Sequence, residues 1–420
     1  MTHVHVIGAG LAGLSTALTL CAGGRDVTVH EAAAQAGGRC RSYFDRELGI
    51  RVDNGNHLLL SGNKDAMAFI DRIGSRDTLY APGGRAGRKR GLSCFPFMDL
   101  RTGERWTLRP NRGRIPWWLF STARRVPKTG LLDYLRLLGL ARITDDRSVA
   151  DALPRNALYS RLIEPLAISA LNTRPEQGLA RLFGAVIRES LMRGGAACIP
   201  LSPLRGWSES LIDPALAWLA MHGARVNFGQ RVTAFEIRDR QITGLRLADL
   251  SVALQPEDQV VLAVPATAAV ALMTDITAPD EFETILNLHY RFAAEPGEAG
   301  FIGLVGGLAE WVFVKPGHVS VTISAANAIA GQPAEALAAR VWPEVCSALG
   351  IAAPLPAWRV VKEKRATFAC TAAQNHRRPG ARTDWQNLVL AGDWTTTGLP
   401  ATIEGAIRSG RTAAELLLAT

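Results

Sequence analysis

The sequence predicts an α/β fold in which a Rossmann-type dinucleotide-binding domain is interleaved with an α+β second domain. Three observations predict it. The first thirty residues read as strand, helix, strand. A GxGxxG occupies the first strand-to-helix turn. An apolar strand ending in Gly392-Asp393, followed by a closing helix, places a second piece of the same domain at the other end of the chain.

In order, Val4–Ile7 reads as a buried strand, Leu11–Ala22 as a helix packed on it and Val27–His30 as the next strand. Helical spacing follows over Ser61–Ile73, and Leu92–Leu108 reads as a hairpin turning at Thr102-Gly103. Leu131–Ile143, Asn156–Leu171 and Gln177–Leu191 are apolar helices, and Leu211–His222 is a helix with Pro214 in its first turn. The texture then turns to strands: Arg225–Phe228, Val232–Arg238, Ile242–Leu247, Gln259–Val264, Phe301–Val305, Glu310–Val314 and Val319–Ser324. A helix over Ala334–Leu349, a strand over Asn387–Ala391 and a helix over Thr402–Leu418 complete the chain. Residues 1–80, 222–270 and 385–420 form the expected dinucleotide domain, and 81–221 with 271–384 the substrate domain.

A chain of 420 residues, 48% hydrophobic and 20% charged, can bury a core of real size and is not disordered. The six cysteines form no CxxC pair and no metal-ligand spacing. The longest apolar run, Val260–Met273, is short and carries Pro265, so no spanning helix is expected. No basic-then-apolar leader opens the sequence, which points to the cytoplasm. The net charge of +9 is local. Pro82–Lys128 holds twelve Lys and Arg against two acids, so the remainder sums to −1. The same stretch carries Trp117-Trp118-Leu119-Phe120 between Arg112, Arg114, Arg124 and Arg125. Basic plus aromatic suits nucleic acid or an anionic membrane surface. No nucleic-acid motif accompanies it, so residues 110–128 are expected to contact a membrane, chiefly through Trp117 and Trp118.

The fingerprint itself is Gly8-Ala9-Gly10-Leu11-Ala12-Gly13. Gly8 permits the turn, Gly10 admits the pyrophosphate, Gly13 lets helix meet strand, and the helix start favours phosphate charge. Glu31, at the end of the second strand, suits a ribose diol and repels a 2′-phosphate. Gly37-Gly38-Arg39 follows at once, folding the chain back over the nucleotide. Leu390-Ala391-Gly392-Asp393-Trp394 and Thr402-Ile403-Glu404-Gly405 supply a carboxylate for ribityl hydroxyls and a helix start for a flavin edge. A nicotinamide enzyme has no use for this second half-site.

These motifs resemble those of the FAD-dependent amine oxidase and phytoene desaturase superfamily. The resemblance implies non-covalent FAD held by Gly8 to Gly13, Glu31, Gly38, Arg39, Gly392, Asp393, Thr402 and Ile403. It also implies an adenine contact from the backbone of Val232, and Asn54-Gly55 beside the flavin ring. The string Asp53-Asn54-Gly55-Asn56-His57-Leu58-Leu59-Leu60 is narrower. With Pro165-Leu166-Ala167, Leu171-Asn172-Thr173, Pro200-Leu201-Ser202 and Pro116-Trp117-Trp118, it resembles the squalene-associated FAD enzymes of bacterial hopanoid synthesis over essentially the whole chain. Asn56 departs from the Gln more usual there.

That resemblance implies conversion of hydroxysqualene to squalene by hydride from reduced FAD to an allylic cation. Hydroxide leaves poorly, so an acid must protonate it, and His57, with Asn56 beside it, is the candidate. Asp53 is expected to tie down its turn. A C30 isoprenoid carries on the order of 20 kcal/mol of apolar transfer free energy, at ~0.8 kcal/mol per CH2. The enzyme must then collect it from the inner face of a membrane and enclose it, and the three apolar helices at 131–143, 156–171 and 177–191 could line the path. A carotenoid-type desaturase running the flavin in the opposite direction is one alternative. A non-catalytic prenyl-lipid-binding protein of the same fold is another. The sequence shows no second dinucleotide fingerprint, so the reductant of the flavin is external.

Overall fold

The protein is described by a computed structural model covering residues 2–81, 91–248 and 250–419. Four of the basic residues of the 82–128 segment (Arg85, Arg88, Lys89 and Arg90) lie outside the described residues.

Strands buried along most of their length pair in parallel, as strands covered on both faces do. His3–Ile7 is the centre of a five-stranded sheet. Asp26–His30 and then Arg225–Asn227 lie on one side, Gln259–Leu262 and then Leu388–Leu390 on the other, all parallel. Leu11–Ala22 and Ile403–Leu418 pack on this sheet and on each other. A Cβ on Gly410 would sit 2.1 Å from the Ala12 carbonyl oxygen, so only glycine lets these helices approach this closely. Asp213–Met221, with Pro214 in its first turn, also packs on Leu11–Ala22. Trp207, Leu211, Ala215 and Leu219 thus share the core of the parallel sheet, although the sequence reading put them in the second domain.

The second sheet has seven strands. Its order is Trp358–Phe368, Phe282–Tyr290, His318–Ile323, Trp311–Lys315, Phe301–Val305, Phe95–Asp99 and Arg105–Leu108. Only Phe301–Val305 and Phe95–Asp99 run parallel to one another. Ala334–Leu349 covers one face. The expected hairpin around Thr102-Gly103 is present.

Two strands of this sheet carry no clear alternating pattern. Trp358–Phe368 has Lys362-Glu363-Lys364-Arg365 at its centre and reads as a solvated charge run. It is an edge strand, where charge discourages pairing with another chain. Phe282–Tyr290 buries Asn287 and His289 within its length, which breaks the apolar signal. The short hairpin Ser42–Asp45/Ile50–Asp53 was also not evident in the pattern.

Candidate active site

The residues at the start and end of the chain converge on one large cavity of about 960 Å³. Gly8 adopts φ +105°, and its N–H donates to the His30 carbonyl at 2.8 Å, closing the turn onto the second strand. A Cβ on Gly13 would lie 1.9 Å from the Gly8 oxygen, so helix and loop are in direct contact there. A Cβ on Gly10 would meet nothing within 4 Å. That open space lies over the start of Leu11–Ala22, where no side chain caps the free N–H groups. Both oxygens of Glu31 accept backbone hydrogen bonds, from Ala9 at 2.7 Å and Ala33 at 2.8 Å. The carboxylate is fixed beside the loop with lone pairs to spare for a diol.

Gly37 donates to the Ala9 carbonyl at 2.8 Å, which folds the Gly37-Gly38-Arg39 turn onto the glycine loop. Arg39 donates to the Ala366 carbonyl at 2.5 Å and to Asp393 Oδ1 at 2.8 Å. Thr402 caps Ile403–Leu418, its Oγ1 accepting from the Gly405 N–H at 3.0 Å. Gln230 donates to the Glu31 carbonyl at 2.8 Å, which brings Val232 alongside. Gly8, Gly10, Leu11, Ala12, Glu31, Gly38, Arg39, Val232, Gly392, Asp393, Thr402 and Ile403 all line the cavity. Ala9 and Gly13 do not line it. They are buried behind the loop and act through the backbone. An open glycine cradle, an uncapped helix start and a fixed ribose acid at one end, with a second helix start at the other, fit the two halves of FAD.

The stretch that follows Asp53 lies between this cradle and an apolar region. Asp53 is buried, accepting from the Ser42 hydroxyl at 2.6 Å, the Trp207 N–H at 3.0 Å and Lys315 Nζ at 2.8 Å. Burial would raise its pKa, but Lys315 and the other donors hold the carboxyl below its usual range. Instead of holding its own turn, Asp53 ties the Ser42 strand to Trp207 and Lys315. Asn54 Nδ2 lies 3.4 Å from the Arg39 carbonyl and 3.3 Å from Glu363.

The Asn56 amide is oriented by a chain of bonds. Asn287 Nδ2 donates to the Asn54 carbonyl at 3.3 Å, which turns Asn287 Oδ1 toward Asn56. That oxygen accepts from the Asn56 N–H at 3.2 Å and from the Thr322 hydroxyl at 3.1 Å. Thr322, its proton spent, accepts from Asn56 Nδ2 at 3.1 Å, and Ser320 Oγ accepts from the same group at 2.7 Å. Asn56 Oδ1 is left buried without a partner among the described residues. His57 Nε2 is likewise buried and unpartnered, and both residues line the cavity. Burial lowers the His57 pKa to about 4, so its ring is neutral at pH 7.

The lining also includes a set of large apolar side chains, Phe97, Leu162, Phe183, Ile187, Trp311 and Phe313 among them. Of the three helices expected to line a substrate path, 156–171 and 177–191 contribute residues. The helix Leu131–Leu140 does not. Its Tyr134, Leu137 and Leu140 pack inward, while Leu132, Leu135 and Leu138 are exposed. Trp117 is 63% exposed, but Trp118 is only 8% exposed and packs edge-on to Tyr134 at 5.5 Å. Within the short helix Trp117–Phe120, Trp118 is buried and Trp117 exposed, which corrects the expectation that both face a membrane. Sequence reasoning missed Asn287, Ser320 and Thr322. Alternating hydroxyls in the apolar strand Val319-Ser320-Val321-Thr322-Ile323-Ser324 were the available signal.

The family model described as flavin containing amine oxidoreductase matches residues 11–295 and 307–418. The hydroxysqualene dehydroxylase of Rhodopseudomonas palustris is 46% identical over 418 residues, covering 99% of this chain and 98% of that protein. That of Zymomonas mobilis is 43% identical, covering 100% and 99%. The zeta-carotene desaturase of Synechocystis is 23% identical over 99% of this chain and 97% of its own length. Among solved structures, a putative protoporphyrinogen oxidase from Exiguobacterium superposes with a TM-score of 0.70 at 18% identity, covering 100% and 99% of the two chains. Putrescine oxidase bound to putrescine gives 0.71 at 15% identity, with the same coverage. The structural likenesses establish the fold, and the glycine cradle, Glu31 and Gly392-Asp393 all border its cavity. The chain is an FAD-dependent oxidoreductase of the flavin containing amine oxidoreductase family and belongs within it to the hydroxysqualene dehydroxylases.

Proposed function

We propose that the enzyme reductively dehydroxylates hydroxysqualene to squalene, with FAD bound non-covalently in the cradle. The observation that carries this reading is one cavity whose lining joins the nucleotide fingerprint, the polar Asn56 and His57 and apolar side chains such as Phe97, Phe183 and Trp311. An allylic alcohol on a long hydrocarbon has that same pattern of polarity. When bound and reduced, FAD supplies the hydride that replaces the hydroxyl.

The chain's residues do the rest. Glu31 accepts from the ribose diol, the start of Leu11–Ala22 takes the pyrophosphate, and the Arg39–Asp393 pair and Thr402-Ile403 close the distal half. Asn56 offers its unpartnered oxygen to a donor in the cavity, and His57 hydrogen-bonds as a neutral ring. The apolar walls exclude water from the reacting carbon. We divide the chain into a cofactor unit (1–80, 222–270, 385–420) and a substrate unit (81–221, 271–384). The strands of the two large sheets support the division, while the helix Asp213–Met221 packs with the cofactor unit.

We also place the enzyme on the inner face of the membrane. No helix is long and apolar enough to cross a membrane among the described residues. Ile115, Trp117, Phe120, Leu132, Leu135 and Leu138 are exposed together, with Arg112 and Arg114 nearby in sequence. Leu131–Leu140 packs on Ala180–Glu189, whose Phe183, Val186 and Ile187 line the cavity. The apolar surface thus lies one helix layer from the substrate region.

The test is an anaerobic single turnover. Chemically reduced holoenzyme mixed with hydroxysqualene is expected to reoxidise with squalene formed in equal amount. Flavin that stays reduced beside intact alcohol overturns the reading. The full-length similarity to a carotene desaturase makes the opposite direction the second reading, and oxidised enzyme reduced by polyprenes would establish it.

A further inference from the structure

A buried polar atom without a partner is costly, so each one needs a reason. Among the described residues, three such side-chain atoms belong to residues that line the cavity: Asn56 Oδ1, His57 Nε2 and Trp311 Nε1. Asn56 Oδ1 can only accept a hydrogen bond, and Trp311 Nε1 can only donate one. Trp106 and Trp207 also leave their indole N–H groups unpaired, but neither lines the cavity.

Sheet register links Trp311 to Asn56. Trp311 stands between Gly303 on one neighbouring strand and Thr322 on the other. A Cβ on Gly303 would lie 3.0 Å from Trp311 Cζ3 and 2.6 Å from Phe97 Cε1, so the glycine leaves room for both rings. Cζ3 lies across the six-membered ring from the carbon that bears Nε1. The benzo edge of the indole is therefore the part beside Gly303, and the N–H edge points away from that strand. On the other side, the Thr322 hydroxyl accepts from Asn56 Nδ2 at 3.1 Å, which holds the Asn56 carboxamide beside the strand next to Trp311.

We propose that Trp311 Nε1 donates a hydrogen bond to the hydroxyl oxygen of the substrate while Asn56 Oδ1 accepts from the same hydroxyl. The proposal rests on the dehydroxylation reading above. A hydroxyl has one proton to give and lone pairs to receive, so one group satisfies both orphaned atoms. Its oxygen gains charge as the C–O bond breaks with the electron pair on oxygen, and a donor fixed in a buried wall stabilises that charge. The oxygen leaves as water, a hydride replaces it on carbon, and the two hydrogens lost by reduced FAD balance the exchange. The indole keeps its own proton throughout. Squalene has no hydroxyl, so the product leaves both atoms unpaired and is held less tightly than the substrate.

Two measurements test this. In oxidised holoenzyme isotopically labelled at the indole nitrogens, hydroxysqualene is expected to move one indole N–H resonance downfield, while squalene leaves it in place. That resonance is absent from Trp311→Phe, which keeps an aromatic wall and an unchanged FAD content. In anaerobic single turnover Trp311→Phe should be slower by about 10²-fold. Its affinity for hydroxysqualene should fall by about 10-fold with squalene affinity unchanged, a split that a purely structural role would not produce. A Trp311→Phe enzyme with the wild-type rate and the wild-type preference for hydroxysqualene over squalene overturns the proposal. If that variant fails to fold, wild-type enzyme in which no indole resonance distinguishes hydroxysqualene from squalene overturns it instead. Reduced wild-type holoenzyme that leaves hydroxysqualene intact overturns the substrate reading, whatever the indole resonances show.

Discussion

Arg39 and Asp393, 354 positions apart in sequence, meet at 2.8 Å at the edge of the cavity. The pair joins the turn after the ribose acid to the strand end of the distal half-site, so the cofactor cradle closes on itself across nearly the full chain.

Removing either partner should therefore loosen the cofactor more than the fold. Asp393→Asn leaves Arg39 without its carboxylate, a loss of roughly 1–3 kcal/mol for a charged hydrogen bond. FAD affinity is expected to weaken by about 10- to 100-fold, read by titrating apoprotein with FAD. Unchanged affinity would show that the pair is only a structural tie.

The Asn56 clamp makes a different prediction. Thr322→Val removes the hydroxyl that fixes the amide but leaves the cradle untouched. FAD should bind normally, while single turnover slows by about tenfold, on the order of 1 kcal/mol for one neutral hydrogen bond. His57→Ala should likewise keep FAD and lose turnover. The wild-type His57 ring should show no NMR titration between pH 5 and 9, because burial holds its pKa near 4.

Stability should fall on acidification. Burial lowers His5 to about 4, His289 to about 3 and His318 to about 4. The unfolded chain binds protons at these groups from pH 6.5 downward, while the folded chain does so only near their lowered values. Stability is thus full above 6.5 and lost as pH drops toward 4, by roughly 3 kcal/mol per histidine. Glu310, raised to about 7, acts in the opposite sense between 4.5 and 7, where the folded state holds the extra proton. The histidines act with the carboxyls held low by cationic partners, Asp53, Asp65 and Asp99 among them, against the raised carboxyls Glu164, Glu283, Glu310, Glu404 and Asp213, and melting temperature should decrease from pH 6.5 to 4. A flat profile there would contradict the burial of these rings.

The two adjacent tryptophans should behave as opposites. Trp117→Ala should reduce cosedimentation with anionic vesicles by about tenfold, on the order of 1.5 kcal/mol for one exposed side chain entering an apolar phase, and leave melting unchanged. Trp118→Ala should lower melting temperature, since it opens the contact with Tyr134. Binding that ignores Trp117 and Phe120 together would remove this surface from the membrane.

The cofactor half of the site was legible because its motifs encode backbone geometry. Gly8 and Gly13 report a turn and a contact no other residue permits, and Glu31 and Asp393 follow at fixed offsets from strand ends. The substrate half depends on side chains that meet only after the sheet forms. Ser320 and Thr322 read as strand residues until Asn56 is brought against them from 264 and 266 positions away. Trp311 carried no motif at all, since its unpaired N–H is a product of packing. Trp117 and Trp118 are indistinguishable in sequence, and burial of Trp118 against Tyr134 separates them.

The central strand of the parallel sheet is also the first to be synthesised. His3–Ile7 pairs early with Asp26–His30, but its other edge waits for Gln259–Leu262. At ~5–20 residues per second, a ribosome leaves that edge open for about 10–50 s. Through this interval the nascent chain presents an apolar strand with unmade hydrogen bonds, and the C-terminal half of the cradle does not yet exist. Cofactor capture then waits for Gly392–Ile403 to emerge, and overexpression that outpaces the arrival of residue 259 should yield aggregated apoprotein before it yields yellow enzyme.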